Sequence, residues 1–116
     1  MLTFDELKNR RDILEAIDWD LTPQEAFQAY QIKSIGAWKY RSLPDVYYFH
    51  ISVWQNEAKV VLVKRTIKDS EEIAVLPVPE DLVTAGLPHQ SGKPIPHGQY
   101  PMDQGIQDWL KKALNL

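Results

Sequence analysis

Between Val46 and Ile67 apolar residues recur with a period of two, whereas on either side they recur at spacings of three and four. In the first part of that stretch Tyr47, Phe49, Ile51 and Val53 alternate with Val46, Tyr48, His50, Ser52 and Trp54. Side chains alternate across a strand, so the first set forms a core face and the second an amphipathic face of large rings with polar tips. Gln55-Asn56-Glu57 reads as a turn, followed by a strand from Lys59 to about Ile67. A two-residue and a three-residue loop shift the cross-strand partners by one, so the register stays open. Lys68-Asp69-Ser70 makes a second turn and Ile73–Leu76 a short third strand, which Pro77 and Pro79 end. The pattern predicts an antiparallel meander over 46–76.

Helical spacing brackets this sheet. Thr3 followed by Glu6 is a capping box, Leu2 and Leu7 form a hydrophobic staple, and Phe4, Leu7, Ile13, Leu14 and Ile17 make an apolar stripe. These predict a helix over 3–17. Thr22, Pro23 and Glu25 start a second one, expected over 22–34, with Ala26, Phe27 and Tyr30 as its apolar face and Gly36 as its stop. The short link between the two favours a helical hairpin. Trp38, Tyr40 and Leu43-Pro44 read as a short strand or an ordered aromatic loop, and Glu80–Ala85 as a helical turn closed by Gly86. Residues 87–102, LPHQSGKPIPHGQYPM, have no periodicity and form a long Pro-rich loop. Asp103 then caps an amphipathic helix over 103–115, with Ile106, Trp109, Leu110, Ala113 and Leu114 on one side.

The fold class that follows is α+β: an N-terminal helical hairpin, an antiparallel meander of three to four strands, the loop and a C-terminal helix. At 116 residues a single domain, 1–116, is expected. A hydrophobic share of 44% and a charged share of 25% are those of a globular protein. Apolar runs such as Val60–Val63 reach only four residues, far short of the roughly 20 that a spanning helix needs. The N-terminal MLTFDELKNRRD lacks the basic start and apolar stretch of a secretory signal, and the chain has no cysteine. A cytoplasmic location is therefore expected. The net charge of −3 is segmented: −4 over residues 1–27, +5 over 28–68 and −4 over 69–116.

The sequence lacks the motifs of most known chemistries. Gly86 and Gly92-Lys93 are separated by five residues rather than four, and Pro94 stands where a phosphate loop has a hydroxyl. His50, His89 and His97 lack metal-ligand spacing, so neither metal nor cofactor is expected. Ser52 shares a strand face with His50, but residues two apart on a strand sit roughly 7 Å apart at the backbone. Asp18 and Asp20, between two helices, read as capping or solvated charge. Lys39, Arg41, Lys59, Lys64, Arg65 and Lys68 among Trp38, Tyr40, Tyr48 and Trp54 suit weak single-stranded nucleic-acid binding. The acidic total and the missing recognition motifs argue against that partner.

What remains is a non-enzymatic protein-binding or regulatory module, with a homodimer through the sheet as one form it can take. Tyr48, Trp54 and Trp38 are its candidate anchors. The alternative is a small-ligand or enzyme site between the aromatic face and the 87–102 loop, with His50 and His97 as the residues to test. In layout, the T-P-Q-E-A helix, the D-V-Y-Y-F strand and the closing I-Q-D-W-L helix resemble short bacterial proteins. That resemblance implies a bacterial source and transfers no functional residue.

Overall fold

The computed structural model describes residues 1–27, 46–66, 69–87 and 95–116. The aromatic segment with Trp38, the expected helix beyond Phe27 and the middle of the Pro-rich loop lie outside the described residues. Strands β1 (Val46–Trp54), β2 (Glu57–Arg65) and β3 (Ser70–Leu76) follow one another in the chain. With β4 (Gly98–Tyr100) they form an antiparallel sheet in the order β3-β2-β1-β4. The protein is thus α+β. β4 falls inside the stretch expected to be loop throughout. Its three residues, Gly-Gln-Tyr, show no alternation of their own and become a strand only by pairing with Ile51, Ser52 and Val53.

The β1–β2 register runs from Val46 opposite Arg65 to Trp54 opposite Glu57, which fixes the hairpin loop at two residues. Gln55 and Asn56 both have positive φ, 48° and 65°. Such a pair of left-handed residues is the signature of the tight turn whose twist matches that of the strands. Between β2 and β3 the pairing slips at Leu62/Val63: Ala74 lies opposite Leu62, but Glu72 lies opposite Val63. Ile73 is the extra residue of this bulge, and it moves Glu72 onto the face opposite the main core.

That core joins Phe49, Ile51, Val53, Val60, Leu62, Ala74 and Leu76 to apolar side chains from four helices. Two of these, α1 (Phe4–Lys8) and α2 (Arg11–Ala16), replace the single helix expected over 3–17. The capping box at Thr3 forms as expected, with Glu6 N–H donating to Thr3 Oγ1 at 3.1 Å and Thr3 N–H to Glu6 Oε1 at 3.0 Å. The helix then breaks at Asn9-Arg10, where Asn9 is the C-cap of α1 and Arg10 carries the non-helical backbone that starts α2. The break lets Leu7 and the Ile13-Leu14 pair both face the sheet. Leu2 bridges Ala74 at the β3 edge, and Ile17 bridges Tyr47 on β1.

A helix begins at Pro23, residues 23–27 of which are described (α3), and it packs on the other face of the sheet rather than beside α1 and α2. There Ala26 meets Tyr48, Val61 and Val63. Helices α4 (Glu80–Ala85) and α5 (Gln104–Ala113) return to the first face, α5 capped by Asp103, whose Oδ1 accepts from Ile106 N–H at 3.0 Å.

Asparagine adopts the left-handed region readily, but Gln55 held at positive φ carries a conformational cost of about 1 kcal/mol. Replacing Gln55-Asn56 with Asn-Gly should therefore raise stability by about 1 kcal/mol, read as a higher urea midpoint at unchanged slope. A lowered midpoint would mean that the Gln55 side chain matters more than its backbone.

Candidate binding face of the sheet

The face of the sheet turned away from the main core carries Tyr48, His50, Ser52 and Trp54 from β1, and Lys59, Val61, Val63 and Arg65 from β2. The bulge and the β4 pairing add Glu72, Val75 and Gln99. The face divides into two parts. Its inner part lies under α3, where Tyr48 is buried and His50 is only 1% exposed. Its outer part lies at the hairpin tip, where Trp54 is 64% exposed.

The strands and the loop place the candidate residues differently. Tyr48 and His50 sit side by side with ring centroids 5.9 Å apart. Trp54 lies against His97, centroids 4.6 Å apart. His97 is held by its own backbone partner, because Gln55 N–H donates to its Nε2 at 2.8 Å. That bond needs an unprotonated Nε2, so neutral His97 carries its proton on Nδ1. The Pro-rich segment is anchored further where Tyr100 donates from its hydroxyl to the Pro96 carbonyl at 2.7 Å. His50 and His97 thus lie in different parts of the face, and Trp38 is outside the described residues. Trp19 and Trp109 belong to the margin of the main core, Trp19 with its ring 5.2 Å from that of Phe49.

Two concavities follow this division. An open groove of about 660 Å³ borders Trp54 and His97, with Val61 and Val75 on its floor and Lys59 and Glu72 beside it. A smaller cavity of about 250 Å³ lies between α3 and the inner sheet face, reached by Tyr48, His50, Arg65 and Glu72. Glu72 and Gln99 border both. Neither residue was singled out from sequence. Glu72 is in the right phase only because of the bulge, and Gln99 only because β4 forms. Arg65 was named from sequence only among the cations suited to nucleic acid, not as a residue of a cavity.

Burial pushes the His50 imidazole below its ordinary value of 6.5, and the main chain at Ile51 and the charge of Glu72 offset only part of this. Burial likewise pushes the Tyr48 phenol up, against the pull of Arg65. Near neutral pH both rings are therefore uncharged hydrogen-bonding groups. Among the described residues no cluster of three His or carboxylates is placed to hold a metal, and no helix is long and apolar enough to cross a membrane. Lys59 and Arg65 lie at the two ends of this face of β2, and Lys64 lies on the opposite face. No family model, curated protein or solved structure matches the chain.

A histidine whose folded value is depressed binds fewer protons in the native than in the unfolded state at mildly acid pH. Its stability contribution is complete above the unfolded value near 6.5 and is lost as pH falls through 6.5 toward the lower folded value. Melting temperatures measured from pH 7.5 down to 5 should fall, and His50→Gln should remove that part of the slope. An unchanged slope in the variant would show that His50 accepts its proton in the fold.

Proposed function

We propose that the protein is a small non-enzymatic protein-binding module that pairs with a second copy of its own chain through the outer part of this face. The observation that carries the proposal is Trp54: a large ring left mostly exposed beside an open groove with a valine floor. Isolated exposed apolar residues are ordinary, but a Trp bordering an apolar concavity is the usual composition of a binding hot spot.

The sheet edges are less suited to association. β4 is only three residues long, and β3 is bridged by Leu2 at Ala74 and carries Glu71 and Glu72. Short, covered and charged edges are those that resist pairing with another chain. A twofold interface also needs a self-complementary patch. Here one surface offers a projecting ring and a hollow, with Lys59 on β2 and Glu72 on β3 providing both signs of charge.

Light scattering during size-exclusion chromatography over a dilution series tests this reading. A concentration-dependent dimer is expected, and Trp54→Ala should weaken it by about 2 kcal/mol, roughly thirtyfold in Kd, while leaving a cooperative melt. A strict monomer at every concentration would sink the proposal.

A further inference from the structure

We infer that the inner cavity is a binding site for a small zwitterion of α-amino-acid size, with Arg65 receiving the carboxylate and Glu72 the ammonium group. This goes beyond the pairing through the outer groove and does not depend on it. The cavity lies between α3, represented by Pro23 and Phe27, and the inner face of the sheet. Two nitrogen atoms buried there, His50 Nδ1 and Arg65 Nε, have no hydrogen-bond partner among the described residues. A buried polar atom left unpaired costs about 1–3 kcal/mol, and native structures contain few of them. Two on residues lining one cavity point to a ligand that satisfies both.

The chemistry of the two atoms and their neighbours narrows the class. Arg65 Nε can only donate, and with a terminal guanidinium nitrogen it forms a fork that matches a carboxylate. Glu72 can only accept while ionised. Both side chains border the cavity, yet among the described residues neither forms an ion pair with the other or with a third group. Glu71 borders the cavity as well, but the register sets it opposite Lys64, on the other face of the strand from Glu72. Arg65 and Glu72, a cation and an anion facing one space without meeting, suit a ligand that carries both charges. A simple anion would leave Glu72 unpaired and be repelled by it; a simple amine would do the same at Arg65. Tyr48, in line with Val63 and Glu72, and His50, one row further from Arg65, supply uncharged hydrogen-bonding groups along the same cavity. At about 250 Å³ the cavity has room for a ligand of amino-acid size.

The test uses the full chain with glycine, L-serine and L-glutamine as probes, and propionate and propylamine as single-charge controls. Calorimetric titration should show saturable binding of at least one amino acid, about tenfold or more tighter than either control. In the same titration followed by nitrogen NMR, the His50 Nδ1 resonance should move. Arg65→Met and Glu72→Gln should each weaken binding by about tenfold or more. Trp54→Ala should leave binding intact, which separates this site from the dimer surface. Should Arg65→Met fail to fold, Glu72→Gln on the exposed edge strand and the His50 resonance of the unaltered chain still decide. Propionate binding as tightly as the amino acids would overturn the zwitterion assignment. A His50 resonance unmoved by every probe would mean that the cavity holds water only.

Discussion

Strands β1 and β2 are apolar on both sides, and a sheet of that kind has to be covered twice. Ile51 and Val60 are buried on one face while Tyr48, Val61 and Val63 are buried on the other. Burial of each such side chain contributes about 1.5–3 kcal/mol, so neither face can be left to water without a large loss. The first face receives α1, α2, α4 and α5. Among the described residues, the second is met at one end by the start of α3 through Ala26 and Leu21. The unequal cover leaves a buried inner part and an open tip, and Tyr48, His50, Trp54 and His97 all lie on this second face or against it.

The same asymmetry explains what could be seen in the sequence. The hairpin, the Thr3 capping box, the Asp103 cap and the stripe of α5 depend on residues within a few positions of one another, and each was legible. The identity of the rings on the second face was legible too, because alternation assigns Tyr48, His50 and Trp54 to one side without knowledge of what covers them. Local patterning does not decide burial, however: Tyr48 and Trp54 share a strand face, yet Tyr48 is buried against Ala26 of α3 and Trp54, at the hairpin tip, is exposed. Three further features depend on distant partners. β4 exists through Ile51–Val53, the bulge at Leu62/Val63 exists through the opposing β3, and the break at Asn9-Arg10 serves contacts of Leu7 and Leu14 with the core. The bulge has the widest effect, since it turns Glu72 onto the second face, where it borders both the groove and the inner cavity.

The segmented charge also becomes intelligible in three dimensions. The basic middle of the chain includes Lys64 and Arg65, and the acidic last part begins with Asp69, Glu71 and Glu72. Antiparallel pairing sets Lys64 opposite Glu71 and brings Glu72 opposite Val63. Opposite charges on neighbouring strands favour that alignment by a few tenths of a kcal/mol to about 1 kcal/mol per pair. The alternating blocks therefore help hold β3 in register, where apolar alternation alone is interrupted by Ile73.

The chain order of the strands has a consequence in time. β1 and β2 are joined by two residues and β3 follows within a short turn, so these pairings close small loops. β4 must return to β1 from Gly98–Tyr100, and Leu2 must find Ala74 across most of the chain. Loop-closure entropy grows with separation, and chains rich in distant pairings fold more slowly. The three-stranded meander is thus the natural nucleus, and the segment carrying His97 and the N-terminal residues dock onto a sheet already formed. In a chain built this way, local opening would run in the reverse order. The stack of His97 on Trp54 would then be among the first contacts to loosen, well before the inner face beneath it gives way.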